Sequence, residues 1–560
     1  MSGTGAGNAR PRWHEVDSER VEWEFEAFRR IPLTATRRLG MSDGRFADRL
    51  VVETELPFRG GLLPLSVVYP FDYPDVAPTI FGRSVLPRHQ QPASGNFCVL
   101  EDSDRDWRPW WPAAKLVDEN LRWLLEDSER GADAVTAGEA DMPEPATAHF
   151  VYSARAVIVV PDPFWVQRPP TAGGTMTICG TAPSLFLKKA GHFGEADGSV
   201  ARHFDREGEE RGHWTALPEP PSPTLADDEL IDAIEAADPK AFVRLERQLR
   251  KSKGAPGVEG WLGLTFSEEG PGRGEWRRAW VFLRVEVDHE GARDVGEKVR
   301  AQALTKSERA RRTPELVGLD NARVLLVGAG ALGSPTALEL AKAGVGHLDI
   351  VDLDVFDVNN SVRHVLPPIR AGERKADAVA GYAAALNPFV AIEGHNLTIG
   401  GWEPESDRLH ALVAAADIVA DTTGSQSVAR ILQRHCTEEK TPLVVAGFSR
   451  GSHGGEIAIV RPGGACLMCL ELAQRDEDVP TPPEGPGGNV RPVGCSHPAA
   501  TGAGFDITEL ATSTTRAVVG VSGACSYPST EWDWAIVAFR DDPRWQTGAL
   551  SRHAECPYHP

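Results

Sequence analysis

The stretch from Arg323 to His364 constrains the fold more than any other part of the chain. It begins with an apolar run typical of a strand buried on both faces, continues through small residues, and then shows a helical pattern. A second apolar run ends in an acid. The pieces are, in order, Val324–Val327, the glycines Gly328, Gly330 and Gly333, Ser334–Ala343, His347–Val351 and Asp352. They predict a Rossmann-like βαβ unit in which phosphate approaches a helix N-terminus, for either a dinucleotide or ATP.

Composition bounds the class of protein. The 560 residues are enough for about three domains, at roughly 100–200 residues each. A formal net charge of −21 argues against nucleic acid or an anionic membrane as a partner. No apolar stretch approaches the roughly 18 residues of a membrane span, and the first residues lack a signal-like apolar core. With eight cysteines in a chain of this length, we expect a reduced, cytoplasmic protein.

Polar residues beyond the second strand indicate which nucleotide is bound. An acid at the strand end suits a ribose hydroxyl, and an Asn-x-x-Arg series follows it. A lysine then opens the next helix, and an aspartate follows the strand-like Ile418–Ala420. These residues are Asp352, Asn360, Arg363, Lys375 and Asp421. The Asp…Asn-x-x-Arg series does not belong to dehydrogenases, which disfavours the alternative, a nicotinamide oxidoreductase.

The series resembles the adenylation domain shared by ubiquitin-activating enzymes and the ThiF/MoeB activators of sulfur-carrier proteins. The resemblance implies that Asp352 holds the ribose of ATP, while Asn360 and Arg363 meet its phosphates. It further implies that Lys375 neutralises phosphate charge and that Asp421 handles Mg²⁺. A homodimer and an arginine before the first strand are also implied; the candidate arginines are Arg309, Arg311 and Arg312.

Cysteine spacing is an independent signal, since five of the eight cysteines follow residue 460. A C-x-x-C pair and a C-terminal C-x-x-H pair have the spacing of a tetrahedral Zn²⁺ site, formed by Cys466, Cys469, Cys556 and His559. A redox C-x-x-C is the alternative, although a thioredoxin-like context is missing. The sulfur-carrier activators have a C-x-x-C at both points, so the resemblance implies a structural zinc with His559 replacing a cysteine.

The same family places its thioester cysteine between the zinc pairs, on the crossover to a helix, which we expect here at Ile507–Val518. Cys495 matches that position, and His497 close by would lower its thiol pKa. Cys525 is the rival, because it also lies between the pairs. Cys436 is expected to be structural.

Residues 12–130 predict an amphipathic helix, a β-meander and a closing helix at Ala113–Glu126. The meander strands are expected at Arg45–Phe58, Leu62–Tyr69 and Pro78–Phe81. This order resembles a ubiquitin-conjugating enzyme, through the segment YPFDYPDVAP, a lone cysteine in the following loop and a Trp-Pro turn before the last helix. The resemblance implies that Cys98 carries a thioester, the alternative being a buried small hydrophobe.

One family feature is missing, the His-Pro-Asn triplet whose Asn steadies the oxyanion during amine attack. Here His89 aligns loosely and no Asn does; Asn96 or an acid within Asp102–Asp106 is the candidate substitute. A non-catalytic scaffold with a degenerated conjugating domain therefore stays open as an alternative.

The expected fold class is α/β in several domains: an α+β conjugating-enzyme-like fold (12–130), a mixed α+β middle domain (151–300) and a Rossmann-like adenylation domain (301–560). Residues 1–11 are expected to be disordered and 131–150 to be a linker. The middle domain has a helical stretch at Leu225–Arg250 and no ligand constellation, and Cys179 is assigned to its core.

Together the resemblances imply an activating–conjugating fusion of the kind that accompanies CBASS anti-phage operons. A partner's C-terminal carboxylate would attack ATP, Cys495 would displace AMP, Cys98 would take the acyl group, and an amine would receive it. The expected partner is a cGAS/DncV-like nucleotidyltransferase, with a target protein supplying the amine. Activation of another ubiquitin-like modifier or of a sulfur-carrier protein is the alternative.

Overall fold

The computed structural model describes residues 12–31, 35–41, 45–46, 49–83, 86, 89–100, 102–127, 143–165, 171–204, 208–253, 258–272, 274–287, 293–401, 403–485, 489–490, 499–540 and 544–559. The expectations for 1–11 and for Cys495 lie outside these residues. Contacts divide the chain into two compact units, one of residues 1–197 and 204–303 and the other of residues 198–203 and 304–560. Within the described residues, no helix is both long and apolar enough to cross a membrane.

The first unit begins with a helix, an antiparallel meander and a second helical region. The helices are α1 (Trp13–Val16), α2 (Ser18–Arg30), α3 (Ser103–Asp106), α4 (Ala113–Lys115) and α5 (Arg122–Asp127), the last two joined by a π-helical turn at Leu116–Leu121. The strands are β1 (Ala35–Met41), β2 (Leu50–Phe58), β3 (Gly61–Val68) and β4 (Thr79–Gly82), paired in that order. The sequence prediction missed β1, whose ATRRLGM composition shows little apolar alternation.

A buried carboxylate joins α2 to this meander and to α4. Glu24 is fully buried and accepts hydrogen bonds from the Tyr69 hydroxyl (3.0 Å), the Tyr73 hydroxyl and the Ala113 amide (2.8 Å). Arg20 lies 3.3 Å from the same carboxylate. The amide at Ala113 is one of the donors that a helix N-terminus leaves unpaired, so Glu24 also caps the closing helix.

The rest of the first unit is a larger sheet. Among the described residues eight strands pair in the order β5-β12-β11-β10-β9-β6-β7-β8. Their bounds are β5 (Val157–Pro161), β6 (Gly173–Thr181), β7 (Ser184–Ala190), β8 (Gly194–Glu195), β9 (Glu209–Ala216), β10 (Val258–Glu269), β11 (Trp276–Val287) and β12 (Arg293–Leu304). Cys179 is buried here, which confirms its assignment to the core.

The predicted helix at Leu225–Arg250 is two helices, α7 (Asp227–Ala237) and α8 (Ala241–Lys253); the short α6 (Gly198–Ala201) precedes them in the chain. The break falls at Asp238, which adopts a non-helical conformation before Pro239. The residue before a proline is disfavoured in the helical region, so the dipeptide accounts for the interruption.

The second unit is built on a mixed sheet. In the described part its strands pair in the order β15-β14-β13-β16-β17-β18-β21-β22, parallel from β15 to β17 and antiparallel beyond. The bounds are β13 (Arg323–Val327), β14 (His347–Val351), β15 (Ala391–His395), β16 (Ile418–Asp421), β17 (Leu443–Phe448), β18 (Gly454–Val460), β21 (Trp534–Ala538) and β22 (Arg544–Gly548); β19 (Asn489–Val490) and β20 (Ala499–Ala500) form a separate ribbon.

Helices cover both faces of this sheet. They are α9 (Lys306–Ala310), α10 (Gly333–Ala343), α11 (Lys375–Leu386), α12 (Glu403–Ala415), α13 (Gln426–Glu439), α14 (Leu467–Arg475) and α15 (Gly504–Ser522). One core forms where α10, α11 and α15 pack, and another where α12 and α13 pack. The order of the strands reverses between β13 and β16: β14 and β15 lie on one side of β13, and β16 and β17 lie on the other. Ligands of open α/β sheets bind at such a switch point, beyond the carboxyl ends of the strands.

The Glu24 contacts generate a stability prediction. Glu24→Ala leaves two buried hydroxyls and one helix-terminal amide without their acceptor, which should cost about 2–4 kcal/mol of unfolding free energy. Urea denaturation followed by tryptophan fluorescence measures this loss. The control is Glu22→Ala on the same helix, where the side chain is 61% exposed. Equal effects of the two substitutions would contradict the role given to Glu24.

Candidate functional site

The predicted glycine loop forms a tight turn at the carboxyl end of β13. Gly328 has a φ of +95°, and a Cβ at Gly333 would lie 1.8 Å from the Gly328 carbonyl oxygen. These two glycines are therefore required by the backbone itself. At Gly330 an added Cβ would meet no protein atom within 4 Å. Gly330 thus borders open space, on the side from which a ligand can approach the turn.

Asp352 holds this turn in place from the end of β14. One carboxylate oxygen accepts from the Ala329 amide at 2.7 Å, and the other accepts from the Asp354 amide at 2.7 Å. Burial raises the pKa of Asp352, although nearby Lys375 opposes the shift. Asp352, which the sequence predicts to bind the ribose, therefore lies directly against the glycine loop.

Lys375, at the start of α11, brings a positive charge to the same place. Its side chain is 10% exposed, and its Nζ lies 2.7 Å from an Asp354 carboxylate oxygen. Asp354 was not among the residues predicted from the sequence. Its carboxylate orients the lysine side chain beside Asp352.

Asp421 ends β16 and pairs in register with Val327, the last residue of β13. Only 1% of its surface is exposed. Its Oδ1 accepts from the Thr423 amide (2.9 Å) and hydroxyl (2.7 Å), whereas Oδ2 is buried and has no hydrogen-bond partner among the described residues. Burial raises the pKa of Asp421 to about 6. A buried carboxylate oxygen left without a donor is what a divalent cation would satisfy, so the residue fits Mg²⁺.

Asn360 lies on a 3₁₀ turn at Val358–Val362, and Arg363 directly follows this turn. Both side chains are half-buried. The neighbouring His364 joins this turn to the glycine loop. Its Nδ1 accepts from the Leu366 amide (3.1 Å), so Nε2 carries the proton and donates to the Ala329 carbonyl at 2.8 Å. Burial lowers the pKa of His364 to about 4, which keeps it neutral. His364 was not among the site residues predicted from the sequence, although this histidine directly follows the Asn-x-x-Arg series.

The candidate arginines lie elsewhere in the unit. Arg309 and Arg312 line a cavity of about 580 Å³ together with Lys342 and Gly344, at the C-terminal end of α10. The glycine loop is at the N-terminal end of that helix, and its eleven residues span about 16 Å. These two arginines therefore do not join the glycine loop of their own chain.

The four predicted metal ligands come together in the second unit. Cys466 Sγ lies 3.7 Å from Cys469 Sγ and 3.5 Å from Cys556 Sγ, and all three side chains are buried. Tetrahedral zinc with bonds of about 2.3 Å separates its sulfurs by about 3.8 Å. His559 completes a set whose ligand atoms lie within 4.8 Å of one another, and its Nε2 is buried without a hydrogen-bond partner in the described part of the chain. The geometry fits a metal ion.

The cysteines between these pairs differ in environment. Cys495 falls within residues 491–498, outside the described residues; α15 begins shortly after them, at Gly504. Cys525 is half-buried and packs at the edge of the main core. Cys436 is buried, which raises its thiol pKa to about 12 and agrees with a structural role.

Cys98 lies in the first unit, in a loop fixed by backbone hydrogen bonds. Its amide donates to the His89 carbonyl at 2.8 Å, and the Phe97 amide donates to the Ile80 carbonyl at 2.9 Å. The cysteine is exposed, so it is not the buried hydrophobe of the alternative interpretation. It borders a groove of about 1000 Å³, also lined by Asn96, whose Oδ1 is buried and unpaired among the described residues.

One wall of this groove, which includes Glu144 and His149, comes from a segment that was predicted from the sequence to be a linker. Glu144 accepts a hydrogen bond from the His89 amide, and its other oxygen lies 2.9 Å from His149 Nε2. Burial and then the Glu144 charge raise the pKa of the Cys98 thiol. The segment Pro143–His149 has no recognisable motif, and only its tertiary contacts bring it to the cysteine.

Asp421 generates a pH-dependent prediction. Its folded pKa of about 6 exceeds the usual 3.8, so ionisation costs stability as pH rises from about 4 to 6, and the cost persists at neutral pH. Asp421→Asn should therefore stabilise the metal- and nucleotide-free protein by about 1–3 kcal/mol at pH 7.5 and by little at pH 4. Thermal unfolding with a chelator at both values tests this, with the exposed Asp407→Asn as the control. A gain that does not depend on pH would contradict the assignment.

Comparison with known proteins shows what the second unit is similar to. Residues 308–525 match the model of the ThiF family. The uncharacterized protein y4oA of Sinorhizobium fredii (strain NBRC 101917 / NGR234) is 27% identical over 549 residues, covering 90% of this chain and 91% of that protein. The chain therefore shares nearly its full length with another protein.

Shorter matches have named activities. The SAMP-activating enzyme E1 of Haloferax volcanii is 32% identical over 151 residues, covering 27% of this chain and 53% of that enzyme. The molybdopterin-synthase adenylyltransferase of Escherichia coli (strain K12) is 32% identical over 153 residues, covering 27% of this chain and 59% of that enzyme. These relatives indicate an enzyme, and the C-terminal part of the chain is a ThiF/MoeB-type adenylation domain.

Proposed function

We propose that this protein activates the C-terminal carboxylate of a partner protein with ATP and then conjugates it to an amine. The observation that carries the proposal is the buried, unpaired oxygen of Asp421 at the switch point, next to the glycine turn. A Mg²⁺ bound there would satisfy this oxygen and offset the charge of the nucleotide phosphates.

In the first step the partner carboxylate attacks the α-phosphate of ATP, and an acyl-adenylate and pyrophosphate result. Gly330 leaves room at the turn, Asp352 is placed for the ribose, and Lys375 supplies a fixed positive charge. Asn360 and Arg363 are assigned to the phosphates because His364 holds their turn against the loop. Preorganised charges of this kind stabilise the transition state without reorganising during the reaction.

The later steps transfer the acyl group between sulfurs and then to nitrogen. The Cys495 thiolate displaces AMP, the Cys98 thiolate takes the acyl group by thioester exchange, and an amine, expected to be a lysine, forms the amide and releases Cys98. The exposure of Cys98 in a wide groove supports its place in this sequence. Cys495 is assigned by its position between the metal-ligand pairs, ahead of the rival Cys525.

The partner follows from the resemblance to activating–conjugating fusions. We assign the chain to a CBASS-type anti-phage operon, where the activated partner is a cGAS/DncV-like nucleotidyltransferase, and we expect the chain to act as a homodimer. In a dimer, the arginines near residue 309 would be available to the other subunit, since Arg309 and Arg312 do not join the glycine loop of their own chain.

The second candidate is activation of another ubiquitin-like modifier or of a sulfur-carrier protein. It is favoured by the names of two relatives, a SAMP-activating enzyme and a molybdopterin-synthase adenylyltransferase. Conjugation requires Cys98, whereas sulfur transfer to a carrier does not. An amide-linked product that forms in the parent strain and is lost in a Cys98→Ala strain would support conjugation, whereas its absence from both strains would support sulfur transfer.

We also propose that Cys466, Cys469, Cys556 and His559 bind a structural Zn²⁺. The sulfur separations of 3.5 and 3.7 Å and the unpaired His559 Nε2 support this assignment. All ligand positions are then filled by protein, as in structural rather than catalytic zinc sites. The ion would fasten the C-terminal tail to the start of α14.

Trapping the intermediate tests the proposed function. Cys98→Ala removes the second acyl carrier, so the partner should accumulate on Cys495 when the tagged protein is isolated with ATP from its native cells. Non-reducing electrophoresis should then show a mass shift that a thiol reagent abolishes. The double variant Cys98→Ala/Cys495→Ala is the matched control and should show no shift. A single variant without an ATP-dependent shift would overturn the mechanism.

Metal analysis tests the zinc assignment. Cys469→Ala should lower the zinc content of the purified protein from about one ion per chain to a small fraction, and should lower its melting temperature because the tail is released. Cys525→Ala is the control, since Cys525 lies outside the cluster and should leave the zinc content unchanged. Equal zinc in both variants would contradict the site.

A further inference from the structure

The segment Pro143–His149 contacts the Cys98 groove and the sheet of the middle domain at once. On the groove side it presents Glu144 and His149. On the other side the Glu144 amide donates to Glu269 (2.8 Å), and the Thr147 amide and hydroxyl donate to Glu268 (2.9 and 3.0 Å). Both acids end β10. The segment is therefore fixed to a strand of the middle domain.

Further contacts stabilise the attachment of this segment to β10. Glu268 is buried, and Arg277 on the neighbouring strand lies 3.1 Å from its carboxylate. The Tyr152 hydroxyl donates to the Thr147 carbonyl at 2.9 Å, and Ala146–His149 form a 3₁₀ turn. A side chain on such a turn is held in one place, as general acid–base catalysis requires.

Glu144 and His149 form an oriented pair. The Glu144 side chain is 11% exposed and that of His149 is 15% exposed, and they meet through Glu144 Oε1 and His149 Nε2 at 2.9 Å. Burial favours the neutral acid, but hydrogen bonds from His149 and the His89 amide outweigh it and hold the pKa of Glu144 below its usual range. At 2.9 Å the carboxylate can accept a proton from Nε2, which leaves Nδ1 as the basic nitrogen of a neutral imidazole. No described residue donates a hydrogen bond to that Nδ1.

We propose that His149, oriented by Glu144, is the general base that deprotonates the amine attacking the thioester on Cys98. The inference rests on the proposed function and names a catalytic residue for its last step. The acceptor ammonium gives a proton to His149 Nδ1, and the neutral amine nitrogen bonds to the thioester carbon. The carbon–sulfur bond then breaks, the attacking nitrogen loses its second proton to give the neutral amide, and the departing Cys98 thiolate takes up that proton.

The chemistry of the groove favours this role over activation of the cysteine. A lysine amine has a pKa near 10.4, so at neutral pH nearly all of it must lose a proton before attack. Burial, and after it the negative charge of Glu144, raise the thiol pKa of Cys98, so the charge does the opposite of what a thiolate-generating pair would do. It would, however, attract a cationic acceptor.

The other ionisable groups of the groove are less suited to act as the base. The His89 Nε2 is buried without a partner among the described residues, and its Nδ1 faces Glu144 at 4.0 Å. The remaining charged groups are Asp106, Arg108, Lys115 and Glu119, of which the last two pair with each other. His149 is the histidine of this groove whose ring nitrogen lies within hydrogen-bond distance of a carboxylate oxygen, at 2.9 Å from Glu144 against 4.0 Å for His89.

The test loads Cys98 chemically, so that no partner is needed. In the full-length Cys495→Ala/Cys525→Ala background, Cys98 is the exposed thiol and the other five cysteines are buried. A glycine-terminated peptide activated as a mercaptoethanesulfonate thioester is exchanged onto Cys98, and its discharge is followed by intact mass. The nucleophiles are N-α-acetyl-lysine and hydroxylamine, whose nitrogen is already unprotonated at neutral pH.

His149→Asn should load normally but discharge to lysine about 10-fold or more slowly, with little change towards hydroxylamine. The segment should stay in place, because its hydrogen bonds to β10 come from the Glu144 amide and from Thr147 rather than from His149. His192→Asn, at an exposed histidine of the same unit, should behave like the parent with both nucleophiles. Glu144→Gln should also slow lysine more than hydroxylamine.

Three outcomes are decisive. Equal slowing of both nucleophiles by His149→Asn would reduce the residue to a structural one and overturn the inference. Unchanged discharge to lysine would overturn it as well, while the acyl role of Cys98 would stand. If the parent protein cannot be loaded at Cys98, the proposed function fails, and the inference fails with it.

Discussion

The turn between β13 and α10 is the contact on which the nucleotide-binding half depends. A Cβ at Gly333 would lie 1.8 Å from the Gly328 carbonyl oxygen, so this turn requires glycine there, and it contains the peptide groups of Gly328 and Ala329. Three separate segments bind those groups: Asp352 accepts from the Ala329 amide, His364 donates to the Ala329 carbonyl, and the Thr422 hydroxyl donates to the Gly328 carbonyl at 2.9 Å. A side chain at position 333 would therefore disturb three loops together.

The charges around this turn are incompletely balanced by the protein itself. Lys375 has Asp354 as a partner, whereas Asp421 has one oxygen satisfied and one buried without a donor among the described residues. An isolated buried charge of this kind is costly, and proteins retain it where a ligand or ion restores the balance. The nucleotide-free fold thus gives up stability at the position where we propose that a cation binds.

The sequence predicted the parts of this site that are close in the chain. The βαβ unit and its acids were found because hydrophobic period, glycines and strand ends all lie within about forty residues of one another. The cysteine pairs were found because metal-ligand spacing is local within each pair. His364 was overlooked because its function is a hydrogen bond to a backbone carbonyl, which leaves no composition signal.

The groove residues Glu144 and His149 could not have been found in this way. Fifty-five residues separate Glu144 from His89, and the intervening chain shows no pattern that predicts their contact. The first meander strand was missed for a related reason, since pairing with β2 rather than its own apolar alternation defines it. In both cases tertiary contacts override weak local preferences.

The attachment of residues 143–149 to β10 bears on how such a chain can be divided. A cut near residue 130, where composition suggests a domain boundary, would separate Cys98 from one wall of its own groove. The part of the chain around Cys98 therefore cannot be exchanged as a separate piece, because the strand that fixes the segment carrying His149 comes more than a hundred residues later. Recombination or truncation that keeps the cysteine but exchanges residues 151–300 would retain Cys98 and lose the attachment of the groove wall that carries Glu144 and His149.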